Sequence, residues 1–321
     1  MRRSETAIPE TIFTTDPAFA ASQIRRGGVV AFPTETVYGL GADVFNEVAV
    51  KTIFEAKRRP PDNPLIAHIG SPEQVEELAS EVTPFARKLI KRFFPGPLTV
   101  VLKKAEGVPL IATAGLDTIG VRMPNHLLAQ SFLKACGTPV VAPSANLSGR
   151  PSPTTWKAVF EDLNGRIDCI LQGEAAEIGL ESTVVDCTGD RPVILRSGAV
   201  SLSDLMTVVV DAVINEPNDT APLRSPGLRH KHYSPKAAVI ITKPGSRPEP
   251  AEKTAFIGLS NMGDAFGKVH IASDIADYAH NLFEFFRECD RAGIETIYCE
   301  AVPESGIGAA LMDRIGRAAQ G

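Results

Sequence analysis

A stretch of hydroxyl and acidic residues follows an apolar run near the start of the sequence. Residues 28–32 (GVVAF) have the composition of a short buried strand. Residues 33–41 (PTETVYGLG) then present two hydroxyls, a carboxylate and a phenol. A plain turn is usually short and built from Asn, Asp, Gly or Pro, whereas α/β sheets bind ligands where their strands end. The stretch therefore favours one wall of a small-molecule site over a simple turn.

Two basic residues stand at the end of a predicted helix. Lys57 and Arg59 come directly after apolar residues at helical spacing. Cations at a helix C-terminus complement its dipole, which is a sufficient structural reason for them. The prolines of residues 60–64 (PPDNP), however, make the following chain rigid and fix the direction of the basic side chains. We therefore expect Lys57 and Arg59 to converge on one anion.

Further polar groups stand at the ends of other apolar runs. Residues 142–149 (APSANLSG) and 181–183 (EST) combine hydroxyl, amide and backbone N–H groups, which suit phosphate or carboxylate, although Ser and Asn also form plain turns. Arg122 and Arg196 end predicted strands, and a guanidinium can bind a carboxylate or phosphate through two hydrogen bonds. His68, on an apolar strand, has the position of an ordinary core histidine.

The known short motifs of nucleophilic and phosphate-binding enzymes are absent. The sequence has no G-x-x-x-x-G-K-[ST], no G-x-S-x-G and no H-E-x-x-H, and Gly39 and Gly41 lack the third glycine of a dinucleotide fingerprint. A pocket rich in cations and hydroxyls without a nucleophile fits phosphoryl or nucleotidyl transfer that depends on positioning and electrostatics.

The elements that must position these groups alternate between strands and helices. A capping box at Ser71, Thr83 followed by proline, and Asn125 with Gly137 predict the ends of three helices. Strands outnumber helices, so we expect an α/β fold with a mixed, twisted sheet and flanking helices. The predicted strands cover residues 28–32, 65–69, 98–102, 118–122, 139–142, 167–171, 183–187 and 192–196.

A proline-rich segment separates this part from a smaller one. Residues 215–235 hold four prolines and no hydrophobic period, which is typical of a linker. This linker also concentrates basic and aromatic groups, so it could reach over a site as a lid, with Tyr233 meeting a nucleotide. Strands 237–242, 255–259 and 294–299 and helices 274–291 and 307–319 predict a second, small α/β unit. The basic and aromatic residues of the linker are Arg229, His230, Lys231, His232 and Tyr233.

Composition excludes several classes of protein. Residues 1–200 hold 21 Lys and Arg against 22 Asp and Glu, and residues 201–321 hold 12 against 16, so no basic footprint of a dedicated nucleic-acid binder is present. No apolar run reaches the length that spans a bilayer, and no signal peptide is evident. The five cysteines lack C-x-x-C spacing and are expected to be buried thiols. We expect a cytoplasmic protein without membrane contact.

Seven ordered motifs resemble the threonylcarbamoyl-AMP synthase family. The resemblance implies a YrdC-type catalytic domain over residues 15–205 with a YrdC/RibB-like fold, a linker or lid over 206–236, and a small Rossmann-like domain over 237–321. Ser197 departs from the proline that the family more often has, while Arg196 is kept. The motifs are FPTETVYGLG (32–41), KRRPPDNPL (57–65), PGPLT (95–99), TIGVRMP (118–124), APSANLSG (142–149), STVVD (182–186) and ILRSGAV (194–200).

The resemblance implies that the chain makes L-threonylcarbamoyl-AMP and pyrophosphate from L-threonine, bicarbonate or CO2, and ATP. The product would serve threonylcarbamoyladenosine modification of tRNAs that read ANN codons, with Mg²⁺ accompanying ATP and a tRNA threonylcarbamoyltransferase receiving the intermediate. By the same resemblance Lys57, Arg59, Ser144 and Asn146 would be catalytic. ATP would be bound by these four together with Asn63, Thr118, Ser152, Arg196 and Tyr233, and threonine by Thr34, Thr36, His68, Arg122 and Ser182.

Two alternatives stay open at this point. A YrdC-type domain can also present a concave basic face to RNA, and a weak RNA contact is possible here, although the near-neutral charge of residues 1–200 argues against a dedicated binding module. A related domain performs the carbamoyl-adenylate step of hydrogenase maturation. That context brings acylphosphatase and zinc-finger regions, and this sequence shows neither.

Overall fold

The computed structural model describes residues 10–215, 233–263 and 266–320. Within them the chain forms one twelve-stranded mixed sheet and one four-stranded parallel sheet. The strands are β1 (Ile12–Thr14), β2 (Val30–Phe32), β3 (Gly39–Asp43), β4 (Ile66–His68), β5 (Ala79–Glu81), β6 (Leu98–Lys104), β7 (Thr118–Arg122), β8 (Val140–Val141), β9 (Cys169–Leu171), β10 (Thr183–Asp186), β11 (Val193–Arg196), β12 (Val213–Ile214), β13 (Ala238–Thr242), β14 (Thr254–Gly258), β15 (Lys268–Ile271) and β16 (Thr296–Glu300).

Helices flank both sheets. Among the described residues, none of them is both long enough and apolar enough to cross a membrane. The helices are α1 (Pro17–Arg25), α2 (Glu47–Lys57), α3 (Val75–Leu78, after a 3₁₀ turn Pro72–Gln74), α4 (Pro84–Phe93), α5 (Leu127–Cys136), α6 (Trp156–Leu163), α7 (Leu202–Met206), α8 (Ile275–Ala292) and α9 (Ile307–Ala319).

The large sheet mixes parallel and antiparallel neighbours, which confirms the predicted α/β class and mixed sheet. Its order is β1-β9-β2-β3-β8-β4-β7-β6-β10-β11-β12, with β5 beside β6. Strand β3 is antiparallel to β2, and β8 is antiparallel to both β3 and β4. These pairings bring the ends of β2, β4 and β7 and the segment after β8 close together, which is where the polar motifs of the sequence lie.

Several elements differ from the sequence-based prediction. Strand β3 uses Gly39 to Asp43, a glycine-containing run that lacks the β-branched residues on which strand prediction relies. Strands β1, β5, β12 and β15 are also new, and each has only two to four residues. The predicted cap Asn125 is wrong: His126 accepts a hydrogen bond from the Ala129 N–H and caps α5, which ends at Gly137 as expected. Thr83 caps α4 as predicted.

Separate apolar cores lie under the two sheets. The core of the large sheet packs α2 and the inner faces of β3, β4, β6 and β7 together, while α1 and α5 cover the opposite face around Phe32 and Phe132. The core of the small sheet forms around α8 and α9, with Phe283, Phe286 and Leu311 fully buried. All five cysteines are buried and unpaired, as predicted.

The two units are joined by buried ionic contacts as well as apolar ones. Arg287 on α8 donates to both carboxylate oxygens of Asp162 on α6, at 3.2 and 2.9 Å, and to the Pro151 carbonyl. Both charged side chains are 0–1% exposed. Asp162 also accepts from the Leu147 N–H and pairs with Arg150, so the contact extends into the segment after β8.

Replacing Arg287 with methionine should lower the free energy of unfolding by about 3 kcal/mol or more, because it removes a buried cation partner of Asp162 and the side-chain donor to the Pro151 carbonyl. Arg291→Ala is the matched control from the same helix: Arg291 is 44% exposed and pairs with Glu161 and Glu284, so its loss should cost no more than about 1 kcal/mol. Urea unfolding followed by circular dichroism measures both. Equal losses in the two variants would contradict a central role for the Arg287–Asp162 pair.

Candidate active site

One cavity gathers most of the residues predicted from the sequence. It contains about 600 Å³ of atom-free space, the solvent at its mouth included. Nine of the fourteen predicted site residues line it, and they come from eight separate stretches of the chain. The nine are Thr34, Thr36, Arg59, His68, Arg122, Ser144, Ser182, Arg196 and Tyr233.

The segment after β2 forms a tight hydroxyl-stabilised turn at one wall. Thr34 Oγ1 donates to the Val37 carbonyl at 2.7 Å and accepts from the N–H groups of Thr36 and Val37. The hydroxyls of Thr34 and Thr36 lie 2.9 Å apart. Such local bonds fix a turn without a helix or strand ladder. They leave both hydroxyls on the cavity wall.

Arg122, at the end of β7, is held against this wall. Its Nη1 donates to Thr36 Oγ1 at 2.8 Å, and its Nη2 lies 2.8 Å from Glu35 Oε2, at an angle too poor for a hydrogen bond. Both charged side chains are 5% exposed. Glu35 therefore balances the charge of Arg122 while the guanidinium still faces the cavity.

The phenol of the same segment does not join the site. Tyr38 Oη donates to the Gly173 carbonyl and accepts from the Gly173 N–H, and burial raises the pKa of this phenol to about 12. The alternation of side chains along an extended chain turns Tyr38 into the core. The sequence-based expectation that all polar groups of residues 33–41 form one wall is therefore wrong for the phenol.

The loop after β8 is bound to the first wall through its backbone. Leu40 N–H donates to the Pro143 carbonyl and Ala145 N–H donates to the Tyr38 carbonyl, both at 2.8 Å, and Gly39 pairs with Ser144 as an isolated bridge. A Cβ on Gly39 would lie 3.2 Å from Ala142 Cβ and from the Phe32 ring. Glycine thus permits the close approach that places Ser144 on the cavity.

Lys57 stabilises that loop from behind. Its Nζ lies 2.5 Å from the carbonyl oxygens of Ser144 and Asn146 and 3.4 Å from Asn146 Oδ1. Ser144 Oγ also donates to Asn146 Oδ1. Lys57 is 1% exposed, and burial followed by the nearby Arg59 charge lowers the pKa of its ammonium well below the usual range. Lys57 and Asn146 do not line the cavity in this structure.

Arg59 reaches the cavity because the chain turns sharply after α2. Arg58 adopts a left-handed conformation with φ of 51° and ends the helix. The Arg59 guanidinium donates to the carbonyls of Asn63 and Pro64 at 3.3 and 3.4 Å, and burial lowers its pKa to about 10. Asn63 is buried but is not part of the cavity wall, and its Oδ1 has no hydrogen-bond partner among the described residues.

Arg196 and Ser182 line the cavity as bonded neighbours. Arg196 Nε donates to the Ser182 carbonyl and its Nη2 to Ser182 Oγ, both at 3.1 Å. Ser182 Oγ also shares a 2.8 Å hydrogen bond with Thr99 Oγ1 on β6. Burial is the main factor that lowers the pKa of Arg196. Thr118, another predicted site residue, lines a separate small cavity with Leu116.

His68 lies on β4 beside Arg122. Its Nδ1 is 3.1 Å from the Ile66 carbonyl, and its ring meets Phe32 edge-on. Burial, reinforced by the Arg122 charge, lowers the pKa of His68 to about 3. The imidazole is therefore neutral at physiological pH, although it faces the cavity.

Sequence reasoning missed two charged residues of this site. Glu181 lines the cavity, accepts from Ser152 Oγ at 2.6 Å and pairs with Arg314 Nε at 3.0 Å. Glu181 stands next to a predicted site residue, so its position in the sequence was a usable signal. Arg314 lies on α9, more than one hundred residues away, and no sequence pattern connects it with the cavity.

Some predicted residues lie outside the described part of the chain. The linker residues 216–232 belong to this group, and with them the predicted Arg229, His230, Lys231 and His232. Tyr233, the first described residue after them, is 4% exposed at the cavity wall.

Comparison with known proteins gives full-length matches. A family model described as "Telomere recombination" (Sua5_yciO_yrdC) matches residues 22–198, and a second one, "Threonylcarbamoyl-AMP synthase, C-terminal domain", matches residues 200–320. Threonylcarbamoyl-AMP synthase of Pyrococcus abyssi is 46% identical over 93% of this chain and 92% of its own length. The enzyme of the same name from Bacillus subtilis is 39% identical over 98% and 96%.

Solved structures agree with these matches. The crystal structure of P. abyssi Sua5 complexed with L-threonine superposes with a TM-score of 0.87 at 42% identity, over 97% of each chain. Escherichia coli YciO has a TM-score of 0.51 at 26% identity and covers 59% of this chain. Family models, relatives and structure agree over nearly the whole length, and the chain belongs to the threonylcarbamoyl-AMP synthase family.

Proposed function

We propose that this chain makes L-threonylcarbamoyl-AMP and pyrophosphate from L-threonine, bicarbonate or CO2, and ATP. The observation that carries the proposal is the cavity itself, in which three arginines and four hydroxyl side chains from distant segments face one space. A relative that shares the fold at 42% identity binds L-threonine. Cations suit a triphosphate and a carboxylate, and the hydroxyls suit a small polar amino acid.

We propose that threonine occupies the wall formed by the Thr34 turn and β7. Arg122 is the natural partner of its carboxylate, because Glu35 and Thr36 fix the guanidinium in place. The neutral ring of His68 and the hydroxyl of Ser182 complete this side.

We propose that ATP occupies the side between Arg59, Ser144, Arg196 and Tyr233, which all line the cavity. Lys57 and Asn146 support this side by fixing the Ser144 loop, and they act on the nucleotide through that loop. Ser152 supports it through Glu181. For Asn63 and Thr118 a role in ATP binding stays a prediction.

The chemistry needs no protein nucleophile. The amine of threonine adds to CO2, or displaces water from bicarbonate, and becomes a carbamate. A carbamate oxygen then forms a bond to the α-phosphorus of ATP, and the bond from that phosphorus to the pyrophosphate oxygen breaks. The protein aligns the two groups and stabilises the charge that develops on the phosphates. Fixed, largely buried arginines suit that role.

We expect Mg²⁺ to arrive with ATP and to be held mainly by phosphate oxygens. Within the described ranges no group of three or more His, Cys, Asp or Glu side chains could hold a metal. Glu181, the carboxylate on the cavity wall, already accepts from Arg314 and Ser152. The residues present thus fit a metal that enters as part of the nucleotide.

The wider setting stays a prediction. We propose residues 15–205 as the catalytic unit, 206–236 as a linker over it and 237–321 as the smaller unit. Transfer of the product to a tRNA threonylcarbamoyltransferase, a weak RNA contact and a cytoplasmic location follow from the resemblance alone.

Release of pyrophosphate in the presence of ATP, bicarbonate and single amino acids tests the proposed function. Threonine should support release, whereas valine, which has the same shape without the hydroxyl, should be much poorer because the cavity hydroxyls would lose a partner. Omission of bicarbonate under CO2-free gas should abolish release. Equal rates with threonine, valine and no amino acid would contradict the proposal.

Arg59→Ala should lower kcat by about 10²- to 10³-fold, the loss expected when one fixed donor to a developing negative charge is removed. Arg58→Ala is the matched control, since Arg58 is the adjacent cation but is exposed and does not line the cavity. Initial rates of pyrophosphate release measure both variants. Near wild-type turnover in Arg59→Ala would remove Arg59 from the mechanism.

Acid should destabilise the protein through His68. Its pKa of about 3 in the folded chain lies below the ordinary value of about 6.5, so between these pH values the unfolded chain binds a proton that the folded chain does not. The stabilisation is complete above pH 6.5 and is lost on acidification, by up to about 1.4 kcal/mol per pH unit. His68→Asn should therefore show a flatter decline of unfolding free energy from pH 6.5 to 4. Parallel curves would contradict this origin.

A further inference from the structure

The C-terminal unit places a buried cation directly behind the cavity wall. Arg314 lies on α9 and is 0% exposed. Arginine is seldom fully buried, and then only with a partner. The Nε of Arg314 donates to Glu181 Oε2 at 3.0 Å and its Nη1 to the neighbouring Asp313 at 2.7 Å. Its Nη2 is buried without a hydrogen-bond partner among the described residues. Such a costly arrangement needs a reason beyond packing.

Through Glu181 the guanidinium reaches Ser152. Glu181 has one carboxylate oxygen on Arg314 and the other on Ser152 Oγ, at 2.6 Å, so the three groups form a continuous chain from α9 to the wall. Burial raises the pKa of Glu181, but the charges of Arg314 and Arg196, together with the hydrogen bond from Ser152, hold that pKa below its ordinary value. Glu181 therefore stays ionised and fixed beside the Arg196 side of the cavity.

The same guanidinium also covers Tyr233. Arg314 Cζ lies 5.5 Å from the centroid of the Tyr233 ring, and Phe283 of α8 stacks on that ring at 5.3 Å. Tyr233 has a φ of 65°, which is rare for an aromatic residue and costs on the order of 1–3 kcal/mol. Contacts from the C-terminal unit thus help to keep the ring in a strained conformation at the cavity wall.

We infer that Arg314 is a positioning residue for the nucleotide side of the cavity, which it serves by fixing both the Glu181–Ser152 pair and the ring of Tyr233. This assigns the C-terminal unit an indirect part in binding ATP, through Glu181 and Tyr233. The threonine side has its own supports, because Arg122 rests on Glu35 and Thr36. Loss of Arg314 should therefore act on ATP and spare threonine. The inference rests on the proposed function, since it assumes that ATP occupies this cavity.

The test is the separate measurement of KM for ATP and for threonine in Arg314→Met. Methionine fills much of the same volume without the charge. We expect KM for ATP to rise about 10- to 100-fold, the range for loss of a hydrogen bond to a charged group, and KM for threonine to stay within about twofold of wild type. Arg314→Lys, which keeps the charge, should recover part of the loss. Arg291→Ala, which breaks exposed pairs between the same units, should leave both KM values unchanged.

Two outcomes would overturn the inference. The first is an unchanged KM for ATP in folded Arg314→Met. The second is an equal rise in both KM values, which is the result expected of a general structural defect. If Arg314→Met does not fold, the double variant E181Q/R314M, in which neither buried charge is left alone, decides by the same two criteria. Wild-type protein that releases no pyrophosphate with threonine and ATP would instead refute the proposed function. An active wild type with an unaffected Arg314→Met would refute the inference alone.

Discussion

Positive charge gathered in a buried cavity is the constraint around which this protein is built. Arg59, Arg122 and Arg196 face one space, and like charges at short range in a medium of low dielectric constant repel strongly. Burial lowers the pKa of both Arg59 and Arg196, which shows the cost of keeping them there. Two buried carboxylates offset part of that cost, Glu35 beside Arg122 and Glu181 near Arg196. An anionic ligand would supply the rest, so the same imbalance of charge favours the binding of a triphosphate and a carboxylate.

The groups that hold these cations are themselves fixed by the fold. Backbone hydrogen bonds tie the loop of Ser144 to residues 38–40, and the ammonium of Lys57 binds two carbonyls of that loop. The threonine turn at Thr34 is closed by its own hydroxyl. The free-energy cost of ordering these groups is met during folding, before a substrate binds. A site arranged in this way needs little rearrangement when charge develops on the phosphates, so little free energy is spent on reorganisation. Positioning and electrostatics can therefore speed the reaction without a protein nucleophile.

The contact between the two units belongs to this arrangement. Helix α8 contributes Arg287, which holds Asp162 and through it the segment after β8, while α9 contributes Arg314 behind Glu181. Both arginines are almost fully buried, so separation of the two units would take a buried cation partner away from Asp162 and from Glu181. The stability of the contact and the order of the nucleotide side are consequently linked.

The sequence alone determined the family, the α/β class and the cavity residues that belong to local motifs. The positions of Thr34, Ser144 and Arg196 in a ligand site could be predicted, because each lies in a short run whose residue types suit the binding of a polar or anionic ligand. Tertiary structure decided the rest. It turned Tyr38 into the core, set Lys57 against backbone carbonyls, and brought Arg314 from a distant helix to Glu181. The physical reason is that local spacing fixes which side chains share an element, whereas the direction of a buried charge depends on acceptors supplied by other parts of the chain.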